Sequence, residues 1–343
     1  MRVLVTGGAG FIGRCLVGRL LSDGHQVVVV DDYSNSAPEN LDAHRGHAGL
    51  EAIVEADLRA PGVVARLFER PYDVVYHLAA SIRVQDSIDD PRTTFVNDVS
   101  VTFELLEAAR HQYLRANGVS TTGAFHLDAE RPRLVDRRPR FVFTSTCMVY
   151  DRATQGAAID ETHPTRPASP YGASKIAAEN LVLSYGAAYE MSVVVARPFN
   201  TYGPFQKSNL EGGVVGIFLA NALAGRPLQI KGTGTQTRDL LFVEDSADFL
   251  ARLGESALED EIVNASTGED VTINELAARV LEVTGARVPV VHVPHDHPQA
   301  EIQKLVGASE RARSALGWAP KTSLSEGLAL TRDWLASRGG ARA

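Results

Sequence analysis

A chain of 343 residues, 44% hydrophobic and 22% charged, has room for one large core and a smaller lobe beside it. Its formal net charge of -8 weighs against a nucleic-acid binder, which needs a basic field, and no apolar run approaches the roughly 20 residues that span a bilayer. Cys15 and Cys147 make no disulfide framework, and Met1-Arg2 runs directly into a strand, so we expect a cytoplasmic protein with no leader to remove.

Val3 to Val5 reads as a short buried strand, and the turn Thr6-Gly7-Gly8-Ala9-Gly10-Phe11-Ile12-Gly13 follows it into a helix ending near Ser22. Glycines at 7, 10 and 13 permit a tight turn, close backbone approach to a pyrophosphate and close helix packing, while the helix start offers N–H groups to phosphate. A second strand, Val27 to Val30, ends about twenty residues further on at Asp31-Asp32, where a carboxylate can take the hydroxyls of an adenosine ribose. With no basic residue beside Asp31, NAD is favoured over NADP. Ile53 to Ala56 and Asp73 to Leu78 supply the third and fourth strands, and Phe103 to Arg110 an amphipathic helix.

The segment 111–140 is polar, rich in arginine and proline, and has no clear period; we expect an insertion at the surface or at an oligomer contact. Its cluster Arg131, Arg133, Arg137, Arg138 and Arg140 reads as a solvated face. Phe141 to Phe143 is then a buried strand that delivers the hydroxyls of Thr144, Ser145 and Thr146 at its carboxyl end. The next helix carries Tyr171 and Lys175 four apart, on one face. A tyrosine is a poor base at neutral pH, with a pKa of about 10; lowering that by about three units needs roughly 4 kcal/mol, which a close lysine and a cationic nicotinamide ring together could supply.

Met191 to Arg197 is another buried strand, further helices start at Phe242 and Ile273, and residues 337–343 read as a frayed tail. His292, His295 and His297 lie in a proline-stiffened stretch with no partner cluster elsewhere, so they read as surface histidines and we expect no metal site.

The Thr6 to Gly13 turn, with its Gly-x-x-Gly-x-x-Gly spacing, resembles the opening of the extended short-chain dehydrogenase/reductase family, the NAD-dependent nucleotide-sugar epimerases and dehydratases. The likeness continues through Pro198-Phe199-Asn200-Thr201-Tyr202-Gly203-Pro204 and Leu316-Gly317-Trp318-Ala319-Pro320, nearly to the end of the chain. It implies a doubly wound parallel Rossmann sheet over residues 1–198 and a smaller α/β lobe, mainly 199–336, that binds a nucleoside-diphosphate sugar, with some segments returning to the first domain. By the same resemblance NAD is held by Gly7, Gly10, Phe11, Ile12, Gly13, Asp31, Asp57, Leu58, Ala79, Tyr171, Lys175 and Pro198. The substrate is held by Asn200, Lys207, Val214, Gln229 and Arg238, and the protein is expected to be a homodimer. For Arg238, an ion pair with Asp239 or Glu244 that clamps the lobe stays open as an alternative.

In the family, the positions of Thr146, Tyr171 and Lys175 carry out a reversible oxidation at the sugar C4. The 4,6-dehydratases follow the threonine with an Asp/Glu pair; here Cys147 and Met148 follow, and a thioether cannot take a C5 proton. A 4-epimerase working through a transient 4-keto sugar with internal hydride return demands least of this sequence. An atypical dehydratase or a C3/C5 epimerase using Cys147, and Lys207, as acid and base stays open, with Cys147 as a small packing residue beside the sugar the plainer reading. A uronic-acid decarboxylase ranks behind these, and a non-catalytic NAD-binding regulator would have no use for the intact Thr146, Tyr171 and Lys175.

Overall fold

The computed structural model describes residues 1–119, 121, 138–153, 158–207, 213–294 and 303–338. Six strands come first: β1 (Arg2–Thr6), β2 (Gln26–Asp31), β3 (Leu50–Glu55), β4 (Val74–His77), β5 (Arg140–Thr144) and β6 (Ser192–Pro198). Short strands β7 (Asn200–Tyr202), β8 (Leu228–Lys231), β9 (Thr237–Arg238) and β10 (Leu240–Phe242) follow, then β11 (Glu261–Ala265), β12 (Val271–Thr272) and β13 (Val290–Val293). The large sheet is parallel throughout, in the order β11-β6-β5-β4-β1-β2-β3. The order reverses between β1 and β4, and a doubly wound sheet has its ligand crevice at the carboxyl ends of the strands on either side of that switch.

Alternation along the strands explains why both faces are covered. Val3 and Val5, Val27 and Val29, Val142, and Val194 and Ala196 pack with helices Phe11–Ser22 and Val243–Glu255 on one side. Leu4, Val28 and Val30, Phe141 and Phe143, and Val193 and Val195 pack with helices Val101–Ala116 and Pro170–Tyr189 on the other. A third cluster, including Phe218, Leu228, Phe242, Leu276 and Leu328, joins helices Val214–Leu223, Ile273–Thr284 and Leu324–Ser337 into a smaller body. There β7 pairs with β10, β8 with β13, and β9 with β12. Among the described residues no helix is long and apolar enough to cross a membrane.

Two expectations are corrected here. The helix read over 103–110 runs to Ala116, so the stretch read as an insertion opens inside a helix. Its polar residues mislead because Gln112 is buried to serve a loop: its Oε1 accepts from Tyr72 N at 3.0 Å and its Nε2 donates to Tyr72 O at 2.7 Å. Arg140, read as solvated, begins β5 and is buried; its guanidinium donates to the carbonyls of Leu253 and Leu258 and to Ser192 Oγ and Ser256 Oγ, which supplies the partners a buried cation requires. Arg138 pairs with Glu259 at 3.0 Å. Arg131, Arg133 and Arg137, and likewise His295 and His297, lie outside the described residues. His292 sits on β13 with Nδ1 2.9 Å from Gly232 O.

Candidate active site

At the end of β1 the chain turns through Gly7, whose φ of 66° lies in the left-handed region, and a β-carbon there would come within 2.9 Å of Ala79 N. At Gly13 a β-carbon would fall 2.1 Å from Gly7 O, so only glycine lets the helix start this close to the turn. Gly10 caps helix Phe11–Ser22 without a side chain, which leaves the first amides of the helix for an anion. Asp31 closes the far side of the turn: its carboxylate accepts from Ala9 N at 2.9 Å, Tyr33 N at 3.0 Å and Ser36 Oγ at 2.8 Å.

A cavity of about 710 Å³ opens above this turn at the switch point. Gly7, Gly10, Phe11, Ile12, Gly13, Asp31, Asp57, Leu58, Ala79, Tyr171, Lys175 and Pro198 all line it, as do Thr146 and Lys207. An uncapped helix start, a glycine cradle and a carboxylate one strand away form the donor and acceptor set that a dinucleotide needs, so these residues fit NAD. Asn200, Val214, Gln229 and Arg238 do not line this cavity; they stand on β7, β8, β9 and helix Val214–Leu223 of the smaller body. Asn200 Oδ1 is buried without a partner, Gln229 is exposed, and Arg238 Nη1 donates to Thr237 O at 2.7 Å. Asp239 directs its carboxylate to Thr267 N and Oγ1, Gly268 N and Gly307 N, where it fastens loops together.

Tyr171 and Lys175 come from helix Pro170–Tyr189, which starts cleanly because Ser169 Oγ accepts from Gly172 N at 3.2 Å and Pro170 takes the first position. The Thr146 hydroxyl accepts from Met148 N at 3.2 Å and lies beside the Tyr171 phenol, whose ionised form it favours. Burial pushes that phenol up, the Asp98 carboxylate adds to the rise, and the Thr146 hydroxyl opposes it. The acidification expected from Lys175 and a nicotinamide ring together requires the ring, which enters only with the dinucleotide. Lys175 is itself buried, which lowers its pKa against the pull of Asp98 and Glu179, and its Nζ lies 4.3 Å from the centroid of Phe143.

Behind this pair lies a polar network that the sequence did not announce. His77 Nδ1 is 2.8 Å from Thr6 Oγ1, and its Nε2 is 3.0 Å from Thr102 Oγ1. The Thr102 hydroxyl donates to Asp98 O, so it accepts from Nε2–H, and Thr6, which accepts from Leu78 N and Ala79 N, donates to Nδ1. Burial, with Lys175 nearby, pushes the imidazole down to about 3, which keeps it neutral. Asp98 accepts from Ser81 N at 2.8 Å and from Ser174 Oγ at 2.6 Å, tying the Ala79–Ser81 loop to the helix of Tyr171. It stands in a π-helical turn, Val96–Ser100, a distortion that often marks functional positions.

Cys147 is not brought to the cavity. It is 2% exposed in an apolar cluster with Val149, Ile159, Phe199 and Leu305, and burial, aided by Asp239, pushes its thiol up to about 12. Among lining residues the sequence reading passed over, Asn35 and Ser36 follow Asp31-Asp32 directly and could have been read as a polar ribose turn; Trp334 and Arg338, three hundred residues away in the chain, carry no local signal.

Comparison with known proteins agrees with this geometry. The family model described as NAD dependent epimerase/dehydratase family matches residues 3–266. The UDP-glucose 4-epimerase of Mycolicibacterium smegmatis is 35% identical over 340 residues, 98% of this chain and 99% of that protein. The dTDP-glucose 4,6-dehydratase of Xanthomonas campestris is 31% identical, over 96% of this chain and 92% of that protein. The X-ray structure of Pal from Bacillus thuringiensis superimposes with a TM-score of 0.87 at 48% identity, covering 98% of this chain and 100% of that one. The chain belongs to the NAD dependent epimerase/dehydratase family, and it is an NAD-dependent enzyme of that class.

Proposed function

We propose that the enzyme is a nucleotide-sugar 4-epimerase in which Tyr171 takes the proton from the C4 hydroxyl of the sugar and later returns it. Thr146, which lines the cavity beside the same phenol, shares the sugar oxygen, and Lys175 holds the dinucleotide and contributes its positive charge. The bound dinucleotide supplies the reversible two-electron oxidation that makes the sugar transiently a 4-ketone. Asn200 and Arg238, an amide and a planar guanidinium, suit the substrate diphosphate, and Val214 and Gln229 belong to the same lobe.

One observation carries the choice of 4-epimerisation. The two positions after Thr146 hold a thioether and a buried thiol pushed up to about 12, so no acid or base for C5 or C3 stands there. Turnover of a panel of UDP, dTDP and GDP sugars in deuterated water tests it. The epimerised product is expected to carry no carbon-bound deuterium, and Cys147→Ala to keep its rate within a few fold. Deuterium at C5, or loss of activity in Cys147→Ala, would turn the assignment toward dehydration or C3/C5 epimerisation.

The pH profile should report Asp98. Its carboxylate faces Tyr171, Ser174 and Lys175 on one helix and Ser81 on the loop, and its charge raises the pKa of both Tyr171 and Lys175. Asp98→Asn removes that charge, the phenol ionises more readily, and the acid limb of kcat/KM moves to lower pH. A profile superimposable on wild type would remove Asp98 from the electrostatics of the pair.

A further inference from the structure

Three neighbouring strands of the large sheet put Thr6, His77 and Phe143 in one row: the parallel register sets Thr6 beside His77 and His77 beside Phe143, across the switch between β1 and β4. The imidazole centroid lies 5.8 Å from that of Phe143 and 6.1 Å from that of Phe141. Its two polar neighbours are Thr6 and Thr102, and all three side chains are 1% exposed or less, so water does not reach them. Two hydroxyl partners and two ring nitrogens are satisfied together in one arrangement, with Nδ1 accepting from Thr6 and Nε2–H donating to Thr102.

Each partner leads on to Asp98. Thr102 commits its proton to Asp98 O at 2.5 Å and so grips the π-helical turn from the helix side. Thr6 accepts from Leu78 N at 3.2 Å and Ala79 N at 3.1 Å, which fixes the loop whose Ser81 N donates to the Asp98 carboxylate at 2.8 Å. Two supports of one charge, one on its backbone and one on its side chain, thus hang on a single ring. Among the described residues, the titratable groups acting here are Lys175 on Asp98 and on His77, Asp98 and Cys147 on Tyr171, and Asp98 and Glu179 on Lys175. An imidazolium would set a second cation beside Lys175 in the interior, and burial keeps the ring neutral.

We propose that His77 is a positioning residue for the chemistry of Tyr171: with Nδ1 accepting and Nε2–H donating, it holds both supports of the Asp98 carboxylate, and through that charge it sets the pH at which the Tyr171 phenol gives up its proton. The inference rests on the reading of Tyr171 as the base, which Tyr171→Phe tests by itself, whereas the ring of His77 is observed without turnover.

Nitrogen-15 spectra of histidine-labelled protein, with His77 identified by the signal missing from His77→Gln, should show a neutral ring protonated at Nε2 that does not titrate between about pH 5 and pH 9. In His77→Leu, which breaks both contacts, the acid limb of kcat/KM should move to lower pH by most of the shift seen in Asp98→Asn. Joining the two substitutions should move it no further, because each releases the same charge. His77→Gln, whose amide can still donate to Thr102, should recover part of the shift. A merely supporting role would lower stability and leave the limb in place. An Nδ1–H tautomer, a limb in folded His77→Leu that superimposes on wild type, or shifts that add in the double variant overturn the proposal. Should His77→Leu not fold, Thr102→Val, which removes the hydroxyl and keeps the side-chain shape, takes its place with the same two kinetic outcomes.

Discussion

Tyr171→Phe is expected to lower turnover by roughly 10²- to 10⁴-fold, the usual contribution of a positioned acid–base group, while the protein keeps its NAD. The phenyl ring fills the buried space the phenol filled, and the glycine turn, Asp31, Asp57 and Leu58 are untouched, so cofactor content after purification should match wild type. What disappears is the phenolic oxygen beside Thr146, together with its single exchangeable proton. Folding should change by less than about 1 kcal/mol, the net worth of one hydrogen bond. Burial and Asp98 both push the phenol up in the unliganded protein, and a positive charge entering the cavity favours the phenolate. Under the proposed assignment the base is conditional, with Tyr171 competent once the oxidised dinucleotide is beside it. Retained turnover in Tyr171→Phe would refute the assignment, and so would a phenolate absorbance at neutral pH in cofactor-free protein.

The same comparison shows which parts of the site a linear reading can reach. Gly7, Gly10 and Gly13 were legible because the constraint is local: a turn, a helix start and a van der Waals limit all fall within seven residues. Tyr171 and Lys175 were legible because four residues make one helical turn. His77 and Asp98 were not, since their meaning lies in partners on other elements: Thr6 for His77, Ser174 and Lys175 for Asp98. The parallel sheet followed from valine-rich runs buried on both faces, whereas the length of helix Val101–Ala116 was hidden by Gln112, a polar side chain whose task is to satisfy the backbone of Tyr72. Cys147 was the plainest case of chemistry suggested by residue type and withdrawn by burial.

The largest expected effect on stability comes from Glu179, one turn beyond Lys175. Its carboxylate takes Arg197 in a two-pronged pair, Nε to Oε1 at 2.9 Å and Nη2 to Oε2 at 2.5 Å, with both side chains 3% exposed. Arg197 stands one residue before the end of β6 and lies 4.6 Å from the centroid of Tyr150, whose hydroxyl donates to Asn264 Oδ1 on β11 at 2.7 Å. The pair thus fixes the Tyr171 helix against the two strands that carry the chain out of the large sheet. Glu179→Gln leaves a guanidinium in the interior without its counter-charge, a loss of about 3–5 kcal/mol from a total that is ordinarily only about 5–15 kcal/mol. The denaturant midpoint should fall accordingly, and turnover with it, because Glu179 also supports the charge on Lys175. Replacing both partners, as Glu179→Leu with Arg197→Met, removes the stranded charge and should recover most of the stability but not the turnover. A Glu179→Gln protein within about 1 kcal/mol of wild type would mean that water reaches Arg197, and that the helix of Tyr171 is held by packing with Phe143 and Val195 rather than by this ion pair.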